Sequence, residues 1–307
     1  MKKKKSAGLK LSKNVQLWLL CIVPLIQVFV FAYIPMGGLI IAFKDYNYAK
    51  GIFGSDWVGL QNFEVFLKSA DFIRTTWNTL YMNFLFIIFG TIASLLVAIL
   101  LFAIKSRTAT KVYQTTMIMP YFLSWVVVSY MAYAILHPSY GVLNSLIGKF
   151  GIKAIDWYSK PEAWPAILTV CYIWKHVGMD SIIYYAALMG IDASLYEAAD
   201  LDGANGVQKT VYVTLPAISG LIIIMTILKI GGIMRADFGL FYQISRDTGT
   251  LYSTTDVIDT YIFRTMRVIG DMGLSSAVGF MQSVVGCILV VVTNAIVSKI
   301  DSEKSLF

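Results

Sequence analysis

Hydrophobic positions along the chain are gathered into six long segments, with polar stretches between them. Each segment reaches or approaches the ~20 residues that an α-helix needs to cross ~30 Å of hydrocarbon. The pattern therefore predicts an all-α polytopic membrane protein with six transmembrane helices, at about 17–43, 79–104, 112–136, 164–189, 217–234 and 274–297.

The composition excludes soluble and disordered proteins. Of the 307 residues, 57% are hydrophobic and only 14% are charged, whereas an average soluble domain has roughly 25% charged residues. A water-soluble fold of this size could not hide so much apolar surface in one core, and a disordered chain would be far more polar.

Lysines at the N-terminus indicate the orientation of the chain. Six of them lie within the first 16 positions, and basic residues favour the cytoplasmic side of a membrane. We therefore predict that 1–16 is a basic cytoplasmic tail, that 17–307 forms one transmembrane domain, and that both termini are cytoplasmic. The net charge of +7 is then mainly a topological signal, so nucleic acid is not an expected partner.

Residues 190–216 form the longest cytoplasmic connection in this topology, between the fourth and fifth helices. Ser194 and Glu197 have the spacing of a capping box, which predicts a short helix over 195–201. Gly203 would break or bend the chain after that helix. The connection is thus expected to be a helical elbow on the cytoplasmic surface. Its composition alone is equally compatible with an amphipathic interfacial elbow that has no partner.

Three parts of this connection together resemble a known motif. Glu197-Ala198-Ala199 is followed by Asp202-Gly203-Ala204 and then by Leu215-Pro216, which is similar to the EAA loop of ABC-importer permeases. In that family the loop is a coupling helix that docks in a cleft of the ATP-binding subunit. The resemblance implies this coupling role for Ser194, Tyr196, Glu197, Ala198, Ala199, Asp200, Asp202 and Gly203. Many relatives have proline where this chain has Ala193.

Other parts of the chain resemble the carbohydrate-uptake branch of the same family, which is related to the maltose permease. Trp57-Val-Gly-Leu-Gln-Asn-Phe63 looks like an element that precedes the second helix of sugar permeases, and Ser181-Ile-Ile-Tyr-Tyr-Ala-Ala-Leu is also similar. Asp256-Val-Ile-Asp-Thr-Tyr261 and Gln282-Ser-Val-Val-Gly286 resemble the subgroup for polysaccharides and complex oligosaccharides.

The resemblance implies a multi-pass subunit of the bacterial cell membrane that works in a larger importer. The expected partners are a second homologous permease, usually forming a heterodimer, two ATP-binding subunits and an extracellular solute-binding protein. An oligosaccharide would be the substrate, and membrane lipid would surround the helices. Transport would follow from ATP-driven alternating access.

Several absences in the sequence agree with this expectation. No G-x-x-x-x-G-K-[ST] motif is present to cradle ATP. No H-E-x-x-H or G-x-S-x-G motif is present either, and the three cysteines each lie in an apolar run. We therefore expect no enzymatic activity, cofactor or metal in this chain, with ATP and magnesium bound by partner subunits.

A sugar path needs aromatic faces for sugar C–H surfaces and polar groups for hydroxyls. Tyr121, Trp125, Ser129 and Tyr133 follow one another at spacings of four in the third predicted helix. On a continuous helix they would form one stripe. The stripe would line either the path or the lipid, and the depth of Trp125 favours the path.

Polar residues in the other helices are further candidates. Lys175 and His176 lie deep in the fourth helix, where a lysine needs water or a partner, and Asp180 is a possible partner. Both structural pairing and cavity lining remain open for this pair. Lys229 is expected to snorkel towards the outer surface. The sixth helix carries a small and polar stripe whose simpler interpretation is close helix packing, although Gln282 is also a path candidate: Ser275, Ser276, Gly279, Gln282, Ser283 and Gly286.

Two other classes of function remain as alternatives. A stand-alone secondary transporter would need intramembrane carboxylates for a coupling ion, and only Asp180 lies within a predicted helix. A membrane enzyme acting on lipid-linked sugars would need paired carboxylates or a metal cluster at one interface. Asp256 and Asp259 are the nearest candidates, although their positions suit the start of a helix better.

Overall fold

The computed structural model describes residues 13–300, and helices dominate this part of the chain. The described part contains one small sheet, in which Lys44–Asp45 pairs antiparallel with Asp56–Trp57. The predicted basic tail 1–16 lies mostly outside the described residues, as does 301–307.

Four helices among the described residues are long and apolar enough to cross a membrane, and two bent pairs raise the number of candidates to six. We number them along the chain as segments one to six: Leu20–Phe43; Ala70–Ala103; the pair Arg107–Phe122 and Trp125–Leu136; Pro161–Leu188; the pair Gly206–Ala217 and Ser219–Gly231; and Met272–Lys299. Each overlaps one of the six predicted apolar stretches. The chain is therefore a helical membrane protein with four to six candidate spans.

Two segments contain π-helical turns next to a proline. Segment one takes in the second half of the α-helix Lys13–Val28, followed by the π-helix Phe29–Tyr33, the α-helix Ile34–Met36 and the 3-10 helix Gly37–Phe43. Segment five consists of the α-helix Gly206–Lys209, the π-helix Thr210–Thr214 and the α-helices Leu215–Ala217 and Ser219–Gly231. Pro35 and Pro216 each follow the π turn by two residues. Because proline donates no N–H, the helix beside it is locally rearranged.

The connections between the segments contain short helices. They are Gly51–Gly54, Gln61–Lys68, Val142–Gly148, Trp157–Ser159, Ala193–Leu201, Leu240–Ile244, Gly249–Leu251, Tyr252–Thr255, Ile258–Arg264 and Thr265–Ile269. The remaining α-helices are Ala70–Ala103, Arg107–Ile118, Trp125–Leu136, Trp164–Leu188 and Met272–Ile300, with 3-10 turns at Met119–Phe122 and Pro161–Ala163.

The third segment is broken, which corrects the prediction of one continuous stripe from Tyr121 to Tyr133. Its two halves meet at an angle of 98°. Pro120 lies in the 3-10 turn that ends the first half, and Ser124 caps the second half by accepting a hydrogen bond from the N–H of Val127. Proline and the new N-cap together end one helix and start another. Tyr121 therefore lies before the bend, and Trp125 begins the helix after it.

The main core lies where segments two and four meet the helix Leu240–Ile244. Met82, Trp164, Leu168 and Phe241 are fully buried there. Segment one is different, because only 6% of its most apolar stretch is buried against the rest of the chain. Exposed apolar surface of this extent needs lipid or another protein to cover it.

Segments three and four touch backbone to backbone at Gly178. A Cβ added to Gly178 would lie 1.9 Å from the carbonyl oxygen of Met117, well inside van der Waals contact. Small residues allow such close approach between membrane helices. Gly178 thus sets the distance between these two segments.

We expect Gly178→Ala to destabilise the protein by about 1–3 kcal/mol, because the two helices must move apart to admit a methyl group. Gly148→Ala is the control, since a Cβ there meets nothing within 4 Å. Thermal unfolding of the purified protein in detergent would measure both. Equal melting temperatures for the two variants would contradict the close contact at Gly178.

Candidate functional site

The elbow begins two residues earlier than predicted. Its first helix is Ala193–Leu201, and Asp192 is the N-cap, with Oδ1 accepting a hydrogen bond of 2.9 Å from the N–H of Ser194. The expected capping box between Ser194 and Glu197 is therefore wrong. Asp192 adds a negative charge at the positive end of the helix, which a serine cannot supply. The same hydrogen bond holds the pKa of the Asp192 carboxyl below its usual value.

The turn after this helix needs a glycine. Gly203 has a φ of 72°, in the left-handed region. The N–H of Gly203 donates to the carbonyl of Asp200, and the N–H of Ala204 donates to that of Ala199. These two bonds form a Schellman motif, in which the residue after the helix favours glycine. The predicted bend at Gly203 is confirmed.

The second part of the elbow starts with the capping box that was expected in the first. Asn205 Oδ1 accepts from the N–H of Gln208, and Gln208 Oε1 accepts from the N–H of Asn205. Lys209 forms an ion pair with Asp200, which joins the two helices of the elbow. The turn is thus fixed by both backbone and side-chain bonds.

The first helix of the elbow contacts two membrane segments through Tyr196. The Tyr196 hydroxyl lies 3.0 Å from Thr214 Oγ1 in segment five. Its ring is 5.9 Å from that of Phe102, near the end of segment two. A force on the elbow would therefore reach both segments.

The outer face of the elbow is exposed and partly apolar. Glu197, Ala198 and Asp202 are exposed, and the side chain of Glu197 makes no hydrogen bond or ion pair within residues 13–300. Leu201 is 90% exposed and Val207 is 73% exposed. The two apolar residues were not singled out from the sequence, because their exposure depends on how the elbow turns. A surface of this kind suits a protein partner.

Lys175 bonds to the backbone carbonyls at the break in segment three, and it has no acidic partner there. The Lys175 ammonium donates to the carbonyls of Tyr121 (2.9 Å) and Leu123, and more weakly to that of Pro120 (3.4 Å). The lysine is only 6% exposed. It occupies the C-terminal end of a helix, where free carbonyls favour a cation.

The possible pairing of Lys175 with Asp180 is wrong. Asp180 Oδ2 instead accepts from the Lys229 ammonium at 2.9 Å, which joins segments four and five. Lys229 therefore does not snorkel as expected. Sequence spacing gave no information on this pair because its members lie on different helices.

Four predicted path residues come together at the break: Tyr121, Trp125, Lys175 and His176. The ring of His176 lies 5.8 Å from that of Tyr121 and 6.0 Å from that of Trp125. The Lys175 ammonium is 5.0 Å from the centre of the Trp125 ring. The structure thus assembles a compact aromatic and basic cluster from segments three and four.

Asp237 belongs to this cluster, although the sequence interpretation missed it. The Trp125 indole N–H donates to Asp237 Oδ2 at 2.7 Å. Gly239 lies under the same ring, since a Cβ there would be 2.3 Å from Trp125 Cδ1. Asp237 was missed because it lies outside the apolar stretches, and only the fold brings it to segment three.

The other two members of the predicted stripe lie further along the second half of segment three. Ser129 lines a cavity of about 220 Å³. Tyr133 lies beneath the guanidinium of Arg246, whose carbon is 4.2 Å from the ring centre. Arg246 was not predicted as a path residue. Ser129 and Tyr133 lie on the same helix as Trp125, one and two turns after it, and the bend separates all three from Tyr121.

Gln282 is buried and bonded, so its placement favours helix packing over a path. Its amide donates to the carbonyl of Met234 at 2.6 Å and to Asp259 Oδ2 at 3.0 Å. Asp259 also accepts from the N–H of Ala236. The two sequence elements that contain Asp259 and Gln282 therefore meet in space and fix the end of segment five.

Asp256 is also structural, and it is fully buried. Its carboxylate accepts hydrogen bonds from Arg74 at 2.8 Å and from Arg264 at 2.7 Å and 2.8 Å. These bonds attach the connection between segments five and six to the start of segment two. Within residues 13–300 no group of three or more His, Cys, Asp or Glu is placed to hold a metal ion.

Comparison with known proteins points to one family. The model of the family described as "Binding-protein-dependent transport system inner membrane component" matches residues 70–302. Protein LplB of Bacillus subtilis (strain 168) is 34% identical over 293 residues, which cover 95% of this chain and 92% of LplB. The polygalacturonan/rhamnogalacturonan transport system permease protein YteP of the same organism is 33% identical over 301 residues, covering 98% and 93%.

Solved structures give the same fold. A chain of a bacterial ABC transporter involved in the import of the acidic polysaccharide alginate matches with a TM-score of 0.85 and 31% identity, over 94% of this chain and 96% of that chain. The bacterial alginate ABC transporter in complex with an alginate pentasaccharide-bound periplasmic protein matches with a TM-score of 0.84 and 31% identity, over 94% and 95%.

The cap of the elbow helix can be tested directly. We expect Asp192→Ala to accelerate amide hydrogen exchange over 193–201, because the helix loses the acceptor for the N–H of Ser194. Ser194→Ala should leave exchange nearly unchanged. Since the pKa of Asp192 is lowered, the stabilisation it provides is present above its ordinary pKa and is lost as the pH falls through its folded pKa. Faster exchange in Ser194→Ala than in Asp192→Ala would restore the sequence-based assignment.

Proposed function

This chain belongs to the family of binding-protein-dependent transport system inner membrane components, and from that membership we propose that it is the permease subunit through which an ABC importer moves oligosaccharides. The family consists of transport subunits, so the chain is not itself an enzyme. YteP is named for polygalacturonan and rhamnogalacturonan transport, and the similar solved structure imports alginate. These relatives support a sugar substrate of more than one unit.

The observation that carries the proposal is the exposed elbow with its two attachments. Glu197, Leu201 and Val207 face outward, whereas Tyr196 contacts segments two and five. The elbow is thus suited to receive a partner on one side and to move membrane helices on the other. The eight positions from Ser194 to Gly203 that the family resemblance singled out lie on or beside this surface.

The importer would contain further subunits. We assign the elbow to a cleft of an ATP-binding subunit, which would bind ATP and magnesium. Two ATP-binding subunits would work with two permeases. The second permease would be homologous and different in sequence. An extracellular solute-binding protein would deliver the sugar. The alginate transporter, which is similar, has been solved in complex with an alginate pentasaccharide-bound periplasmic protein.

Alternating access follows from the elbow's attachments. When two ATP-binding subunits close on ATP, their clefts draw the two elbows together. Tyr196 transmits that movement to segments two and five, and the cavity between the permeases changes the side to which it opens. ATP can shift this equilibrium only because it binds one state better than the other. The path of the sugar would pass the cluster of Tyr121, Trp125, Lys175 and His176.

The contacts of the acidic residues argue against the two alternative functions. A secondary transporter needs a carboxylate that is free to bind a coupling ion, and Asp180 is occupied by Lys229. An enzyme would need available carboxylates, whereas Asp256 and Asp259 are held by arginines and amides. Copurification with an ATPase would separate the importer from both alternatives.

The orientation predicted from the basic residues belongs to this proposal. Six spans, a cytoplasmic tail at 1–16 and cytoplasmic termini would place the elbow in the cytoplasm of a bacterial cell.

This topology can be tested by labelling cysteines. In a cysteine-free background, we expect a cysteine at Lys153, in the outer connection between segments three and four, to react with an impermeant thiol reagent in intact cells. A cysteine at Asn205 should react only after permeabilisation. The reverse pattern would refute this topology.

Coupling can be tested with variants of matched strain and charge. We expect Glu197→Lys and Gly203→Val to lower sugar-stimulated ATP hydrolysis and uptake roughly tenfold or more, as for residues central to an interface. Glu197→Gln should be milder, because the amide keeps an acceptor oxygen. Membrane insertion should be normal in all three.

The controls lie far from the elbow. Gly151→Val imposes a similar backbone strain, because Gly151 has a φ of 76° and a Cβ there also meets nothing within 4 Å. Glu162→Lys reverses the charge of another exposed glutamate. Full activity of the elbow variants, or an equal loss in the controls, would remove the elbow as the coupling element.

A further inference from the structure

A recess of about 220 Å³ lies between the second half of segment three and the turn after the helix Leu240–Ile244. Its walls carry two aromatic rings and several polar side chains: Ser129, Tyr130, Tyr242, Gln243, Arg246 and Asp247. Small-molecule pockets usually measure about 300–1,000 Å³. The recess is thus large enough for part of an oligosaccharide and too small for a whole one.

The two charged residues of the recess differ in their partners. Asp247 accepts hydrogen bonds from Arg264 at 3.3 Å and from the Tyr252 hydroxyl at 3.0 Å, and the same arginine also bonds to Asp256. The guanidinium of Arg246 stacks on Tyr133 and has no ion pair or hydrogen bond with residues 13–300. The recess therefore carries a guanidinium whose N–H groups have no bonding partner within residues 13–300.

The backbone holds Arg246 in an unusual conformation. Arg246 and Asp247 have φ values of 58° and 47°, and they are the non-glycine residues with positive φ in the described chain. L-residues rarely adopt this region. The turn directs the guanidinium onto Tyr133, beside the polar wall of the recess.

We propose that this recess binds a uronate unit of an acidic oligosaccharide, with Arg246 holding the sugar carboxylate. This inference rests on the proposed function and narrows its substrate. A planar guanidinium matches a carboxylate with two parallel hydrogen bonds. Tyr130, which is 67% exposed, offers its ring for the C–H surface of the sugar, and Gln243 offers an amide for its hydroxyls. The Tyr242 ring is stacked on Phe238 and forms part of the wall.

An acidic side chain of the solute-binding protein is the competing occupant. A docking surface for a protein would require only the exposed charge. The observed combination of a recess, two aromatic rings and an amide corresponds better to a sugar. The acidic alginate of the similar importer agrees with this assignment.

The test uses the whole importer in liposomes, with ATP inside and increasing concentrations of sugar-loaded binding protein outside. The probes are trigalacturonate and an alginate trisaccharide. Arg246→Gln removes the charge and keeps an L-side chain in the same turn. Arg246→Lys keeps the charge without the planar fork. Arg267→Gln is the control, because Arg267 is exposed in the same connection and does not line the recess.

We expect Arg246→Gln to lower the maximal uptake rate of the acidic trisaccharides roughly three- to tenfold, as for a charged hydrogen bond that is partly open to solvent. The KM for loaded binding protein should not change. Arg246→Lys should be intermediate, and Arg267→Gln should match the wild type.

Three results would overturn the inference. A higher KM with an unchanged maximal rate would assign Arg246 to docking of the binding protein. Unchanged kinetics in Arg246→Gln would leave the recess without a substrate role. A wild-type importer that takes up neutral oligosaccharides and neither acidic probe would reject the uronate and leave the proposed function intact. Absence of any ATP-dependent uptake, together with no association with an ATPase, would instead refute the proposed function.

Discussion

A helix that breaks at membrane depth leaves carbonyl groups without helical partners, and this constraint organises the centre of the chain. In hydrocarbon each unsatisfied group costs several kcal/mol, and a lysine at the same depth costs about 2.5–3.5 kcal/mol. Because the Lys175 ammonium donates to the carbonyls of Tyr121 and Leu123, each compensates the cost of the other. The 98° bend then starts a new helix at Trp125, where its indole reaches Asp237.

Segment five has contacts at both of its ends. Thr214 at its start bonds to Tyr196 of the elbow, and the chain beyond its end carries Asp237 and Arg246. Gln282 and Asp259 fix that end against segment six. A displacement of the elbow along this segment therefore has a physical route to the aromatic cluster and to the recess.

Buried polar bonds, together with apolar packing, determine how the connections fit the helices. Asp256 is fully buried between Arg74 and Arg264, and removing one member of such a group leaves an uncompensated charge. This explains the aspartates at 256 and 259 without catalysis. The same connection meets segment six where the Gln282 amide donates to Asp259 at 3.0 Å.

The class of protein and the presence of the elbow could be predicted from the order of residues alone. The apolar length of each segment is a local property, and so is the requirement for glycine at position 203, whose φ is 72°. Even the shift of the N-cap from Ser194 to Asp192 is a local competition between two capping residues. The partners of Lys175, Lys229, Asp237 and Arg246 depend instead on how the helices pack against one another. Each of these contacts joins residues far apart in the chain, and helical spacing carries no information about which helices are neighbours.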